Sequence, residues 1–200
     1  MYNHQRAFST LVALLTLCAC DASVQLCGEY ACVFYQSDCE HSNNCASAKS
    51  CESAGSIRDR TPRILNELRQ SRRNCGANTV NPLSGFQSLA WDDKLEQAST
   101  THARDMAAQN VESFIGSNGL ATADRLEQAG TAASVVSESI GSGPQTAAEI
   151  INAWLDVQSD CEQLLDPAYT RVALACALNQ ASNPQPFWSL LLAGPESAEP

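Results

Sequence analysis

Apolar positions along the chain fall into three kinds of pattern. The first is a continuous run, Ala7 to Leu17, behind a start that carries His4 and Arg6. At about eleven residues it is shorter than the roughly 20 a membrane span needs, and it reads as the core of an export signal. The second pattern is helical. Thr61-Pro62 supplies an N-cap and a first-turn proline, and Ile64, Leu65 and Leu68 then share a face, predicting a helix that ends near Asn74-Cys75-Gly76. Leu95, Ala98, His102 and Met106 mark a helix from about Ser88 to Gln109. A short helix over 121–128 stops at Gly130, and Ala147, Ile150, Ile151, Trp154 and Val157 define another over 146–157. The third pattern is extended: residues 133–140, 171–178 and 186–193 read as strands, the first broken by Gly141-Ser142-Gly143-Pro144. Helices interleaved with late strands, without regular βαβ spacing, predict an α+β fold. The expected form is a disulfide-stabilised α-β-α sandwich, a small antiparallel sheet of about three strands with helices on both faces.

Residues 21–57 lack either periodicity and are rich in Cys, Ser, Asn, Ala and Gly. The expected organisation is a leader over 1–19, an irregular Cys-rich stalk over 20–57, one folded domain over 58–194 and a flexible tail over 195–200.

Ten cysteines with no CxxC pair point to disulfides in an oxidising compartment rather than to a metal. The leader ends in Leu17-Cys18-Ala19-Cys20, which resembles a bacterial lipobox and implies acylation of Cys20. Setting aside Cys18 and Cys20 leaves eight thiols. Five lie between Cys27 and Cys51, and the others are Cys75, Cys161 and Cys176. Five is odd, so complete pairing within the chain requires at least one bond from the early segment to the domain.

Charge narrows the partners. Lys and Arg number 12 against 22 Asp and Glu, a formal net charge of −10, which excludes the basic footprint nucleic acids need. Six of the basic residues, Arg58, Arg60, Arg63, Arg69, Arg72 and Arg73, crowd the first predicted helix. They read as a solvated helix face, or as a patch toward anionic lipid.

A series of short motifs resembles the CAP superfamily of cysteine-rich secretory, antigen 5 and pathogenesis-related proteins, in its bacterial branch. In order they are Asn66-Glu67-Leu68-Arg69, His102-Ala103-Arg104-Asp105-Met106, Gly116-Ser117-Asn118-Gly119 and Arg125-Leu126-Glu127-Gln128-Ala129-Gly130. Then come Ser137-Glu138-Ser139-Ile140-Gly141, the segment from Trp154 through Ser159-Asp160-Cys161 to Tyr169-Thr170, and Phe187-Trp188. The resemblance spans about 61–194. It implies a Cys75–Cys161 disulfide and a central cleft where relatives often place two histidines and acidic groups, in some cases around zinc.

Carried over residue by residue, that cleft keeps Glu138, but Phe114 and Asp160 stand where histidines would. The expectation is a degenerate site at Phe114, Glu138 and Asp160, with no metal and no cofactor. His102, on an apolar helix face, reads as a packing residue with Asp105 as its neighbour, rather than as the base of a triad with Ser137 or Ser139. The expected role is a non-enzymatic binding module of the cell envelope, exported, held to the membrane through an acylated Cys20, and recognising a lipid or an envelope protein. The alternatives are a hydrolase of peptide or cell-wall material using Glu138 and Asp160, and a purely structural envelope protein.

Overall fold

The computed structural model describes residues 51–81 and 87–196. The leader, Cys20 and the stalk to residue 50 lie outside these, as do residues 197–200 of the expected tail.

The first helix, α1, spans Ala54–Arg69. Its start is set by Ser53, whose side chain accepts from the Ser56 amide, and Thr61-Pro62 falls in its interior. The expected start at Thr61 is therefore wrong by two turns, and the 57/58 boundary cuts through a helix. Pro62 forgoes one backbone bond there, but the continuous buried stripe Ile57, Thr61, Leu65 and Arg69 crosses it and packs on the sheet. The expected C-terminus was also too late. Residues 73–80 form a hairpin, β1 (Arg73–Cys75) against β2 (Asn78–Val80). Gly76 turns it with φ +57°, a conformation that suits glycine.

Strand β3 (Ala90–Trp91) precedes α2 (Asp93–Gln109), so the helix begins five residues later than Ser88. Asp92 ends the strand and caps the helix, accepting from the amides of Lys94 and Leu95 at 2.8 and 3.0 Å. It also pairs with Arg171 at 2.9 Å, tying the helix start to the sheet. Next come α3 (Thr122–Gln128), β4 (Val136–Ser142), α4 (Ala147–Leu155), α5 (Gln158–Leu164), β5 (Arg171–Leu178) and β6 (Pro186–Ala193). The sheet order is β3-β5-β6-β4. The three long strands are antiparallel, as the lack of regular βαβ spacing implies, and the two-residue β3 adds a parallel edge beside β5. Gly141 and Ser142 continue β4 rather than breaking it. Helix α5 was not foreseen as a helix.

Helices cover both faces. Trp188, Leu190 and Leu192 of β6, with Val172 and Leu174 of β5, pack under α1, α4 and α5 in one large apolar cluster. The alternate residues face α2 and α3. Leu191, Ala193 and Ala173 meet Leu95, Ala98 and Leu126, while Phe187 meets Met106 and Ala107. The start of the expected tail is tied down, because Glu196 bridges to Ala133 and lies 3.6 Å from Arg171.

Among the described residues two disulfides hold the α1/α4/α5 side. Cys75 bonds Cys161, joining the hairpin to α5, and Cys51 bonds Cys176 of β5. The second is a link from the early cysteine group to the domain, as pairing parity requires.

Candidate functional site

Strand β4 carries both candidate carboxylate contacts, and its alternation decides where they go. Val136, Glu138 and Ile140 face α2 and α3, whereas Ser137, Ser139 and Gly141 face α4 and α5. Glu138 thus points into the α2/α3 side with its side chain 3% exposed. Asp160, in the first turn of α5, lies on the other side, where it accepts from the Ser139 hydroxyl at 2.7 Å. The sheet separates the two carboxylates that the resemblance places in one cleft.

Around Glu138 the buried polar groups form a closed set. Arg125 of α3 donates to Oε2, Thr122 donates to the same oxygen at 2.6 Å, and Ser189 of β6 donates to Oε1 at 2.8 Å. His102 of α2 lies 3.9 Å from Oε1, but its hydrogen bond goes elsewhere. Nε2 sits 2.7 Å from the Ser113 carbonyl, so Nε2 carries the proton. Nδ1 is buried with no partner among the described residues. Burial lowers the His102 pKa below its ordinary value; the Glu138 charge opposes this and Arg125 reinforces it. The ring is therefore neutral in the folded protein near neutrality. Asp105 does not pair with His102, as its place one turn on suggests, but holds the Ser117 amide at 2.7 Å and the Ser117 hydroxyl. Burial works against its charge, yet the two Ser117 hydrogen bonds outweigh this and keep the carboxyl below the ordinary aspartate value.

Phe114 is no wall of this cluster. It lies in the α2–α3 loop, about half exposed (52%), and only its carbonyl takes part, accepting from Arg125 at 3.1 Å. Ser137 and Ser139 lie across the sheet from His102, which removes the Ser/His/Asp arrangement considered from the sequence. The serine that does reach the cluster is Ser189, which sequence reasoning missed. Its signal was a lone hydroxyl inside the apolar run Phe187–Ala193. Thr122 and Arg125 were missed as well, although Arg125 stood in a quoted motif.

The donor set does not fit a zinc ion. Zinc needs three or four convergent ligands. Phe114 offers none, Asp160 is across the sheet, and Glu138 is committed to Arg125, Thr122 and Ser189. No group of three His, Cys, Asp or Glu side chains converges among the described residues. A groove of about 140 Å³ between α2 and α3, lined by Gln97, Ala98, Thr101, Arg125, Gln128 and Ala129, is smaller than the roughly 300–1,000 Å³ of ordinary small-molecule sites.

Other motif residues prove to be internal fasteners. Asn66 brackets Leu89, donating to its carbonyl at 3.0 Å and accepting from its amide at 2.8 Å. Arg69, 2% exposed, donates to the carbonyls of Leu164, Asp166 and Tyr169, fixing the α5–β5 connection. Burial lowers its pKa to about 10, so it remains a cation at neutral pH. The expected basic face on α1 is correspondingly thinned. Arg58 pairs with Asp93 and Glu96 and lies over the Trp91 ring, and Arg60 pairs with Glu52.

No curated protein sequence matches the chain significantly. Solved structures do match. An outer surface protein from Borrelia burgdorferi aligns over 74% of this chain and 100% of its own, at 16% identity and TM-score 0.56. An extracellular protein containing an SCP domain from Bacillus anthracis aligns over 71% of this chain and 41% of its own, at 15% identity and TM-score 0.54. A cysteine-rich secretory protein from Staphylococcus aureus aligns over 74% of this chain and 42% of its own, at 14% identity and TM-score 0.50. The chain therefore spans less than half the length of the latter two, and all three likenesses bear on the fold. The family model of the cysteine-rich secretory proteins matches residues 63–190. That stretch holds most of the sheet, the helices on both its faces apart from the first half of α1, and the quoted motifs, and the chain belongs to the cysteine-rich secretory protein (CAP) family.

Proposed function

We propose that this protein is an exported, envelope-displayed module that binds a partner and carries out no catalysis. The observation behind this reading is the division of Glu138 and Asp160 between opposite faces of the sheet. Acid–base hydrolysis needs two such groups within reach of one substrate bond. Glu138 is sealed in the interior with its charge met by Arg125, and Asp160 accepts from Ser139 on the far side. Export is supported by membership in a secretory family, by two disulfides and by the apolar leader ahead of them. Attachment through an acylated Cys20 rests on the lipobox resemblance alone. Mass spectrometry of the mature N-terminus tests it, since an unmodified terminus elsewhere would remove the anchor from the proposal.

The catalytic question has its own experiment. The oxidised full chain is incubated with peptidoglycan and with a peptide mixture, and products are followed by mass spectrometry beside an Asp160→Asn variant. No product release is expected from either. Release by the parent that vanishes in the folded variant would overturn the non-catalytic reading and restore the hydrolase.

A further inference from the structure

We propose that the α2–α3 loop is a preorganised docking loop whose occupant is the uncharged interfacial layer of a lipid bilayer. The proposal rests on the reading above, of a binding module displayed at the envelope, and names the surface it binds.

Three large apolar side chains within five positions are exposed: Val111 at 54%, Phe114 at 52% and Ile115 at 52%. Elsewhere among the described residues only Val135 and Val157 are comparably exposed, each singly. Exposed apolar groups gathered in one short loop, rather than scattered singly, point to an interaction site. What distinguishes the loop is that its backbone is pinned by buried polar groups while its apolar residues stay exposed. His102 holds the Ser113 carbonyl at 2.7 Å. Arg125 holds the carbonyls of Phe114 at 3.1 Å and Leu120 at 2.8 Å. Asp105 holds the Ser117 amide. Asn110, in the left-handed conformation at φ 55°, turns the chain off α2 into the loop. Such fixing removes the ordering cost that a loose loop would bear on binding.

Composition favours lipid over protein as the occupant. Residues 110–121 contain no Trp, Tyr, Arg, Lys or His, the first three of which dominate protein–protein hot spots, and their large apolar groups are aliphatic and phenyl alone. Asp105, Glu112 and Asp124 accompany the loop against Arg104 and Arg125, the charge of Arg125 is met by the buried Glu138, and the whole chain carries −10. That charge repels anionic headgroups and selects uncharged ones. The contact can be weak and still orient the domain. The segment from Cys20 to Cys51 spans at most about 110 Å when extended, and a tether of that kind holds an attached domain at roughly millimolar effective concentration.

The full chain carrying Phe114→Trp is titrated with phosphatidylcholine vesicles whose acyl chains are brominated. Trp154 and Trp188 are buried and Trp91 is partly covered, so the parent supplies the baseline. The added indole is expected to shift to the blue and be quenched beyond that baseline. Phe114→Ser with Ile115→Ser should lower partitioning about tenfold. Adding phosphatidylglycerol should weaken binding rather than strengthen it. Emission at position 114 that ignores the vesicles would overturn the lipid proposal and turn attention to a protein partner, leaving the non-catalytic reading intact. Product release in the hydrolysis assay together with quenching would do the reverse. Binding that grows with phosphatidylglycerol would also overturn it, by placing the contact on a basic surface.

Discussion

On one face of the sheet Trp188, Leu190 and Leu192 enter an unbroken apolar layer under α1, α4 and α5, and both disulfides among the described residues lie on that side. On the other face the same strand presents Ser189 between Phe187 and Leu191, and the apolar contacts split into two small clusters beside the Glu138 network. The first face is held by area and cross-links, which act without regard to direction. The second depends on a few directional bonds whose members cannot be removed one at a time. The α2–α3 loop hangs from that second face through His102, Arg125 and Asp105, so the surface proposed to bind is governed by the polar cluster rather than by the main core.

The largest effect should come from the cross-linked face. The Cys75–Cys161 bond closes a separation of 86 residues. Replacing both cysteines by Ala should cost about 4–5 kcal/mol in the chain-entropy account, read by denaturant unfolding under oxidising conditions. A loss near zero would mean that the apolar layer alone fixes the hairpin and α5, and that the faces differ less than drawn.

On the polar face, Glu138→Leu leaves Arg125 buried without its counter-ion, and Arg125→Met leaves Glu138 in the same condition. Each should cost roughly 3–5 kcal/mol, while the double variant should cost clearly less than the sum because no unpaired charge remains. Additive losses would show that the two groups act independently and that the cluster is not one unit. The single variants should also loosen the loop, visible as faster amide exchange at Ser117 and Leu120.

How far the sequence carries this picture differs between the faces in the same way. β5 and β6 are long apolar runs, and the α2 stripe Leu95, Ala98, His102 and Met106 is regular, so all three are read within a residue or at one end. β1, β2 and β3 are two or three residues long and carry no measurable alternation. Thr61-Pro62 imitates a helix start so well that the weaker Ser53 cap is overlooked. For the site, resemblance picks out Glu138, and alternation along β4 separates residues 138 and 139. What no single-chain pattern reveals is that α5 lies on the Ser139 side. Without that fact Glu138 and Asp160 look like a pair, and Ser189, Thr122 and Arg125 look unrelated.

The smallest effect sharpens the comparison most, because it touches the polar face without removing an ion pair. His102 is 1% exposed, burial lowers its pKa, and among the described residues Nδ1 has no acceptor waiting for a proton. The unfolded chain therefore takes up a proton near pH 6.5 that the folded chain refuses until a lower pH. Stability from this source is complete above about pH 6.5 and falls as pH drops toward the folded value, by at most about 1.4 kcal/mol per pH unit. Asp105, with its pKa also lowered, adds loss in the same direction but only below its ordinary value of 3.8, so the interval from pH 6.5 to 5 belongs to the imidazole. His102→Gln keeps a side-chain N–H for the Ser113 carbonyl and removes the titration. Its unfolding free energy should be lower than the parent's at pH 7.5, because the fit is poorer, and flatter between pH 6.5 and 5. The α1/α4/α5 face, whose apolar layer contains no histidine, should contribute nothing to that slope. An equal slope in both proteins would mean that the proton enters elsewhere, and that the ring beside Glu138 is as indifferent to pH as the apolar layer across the sheet.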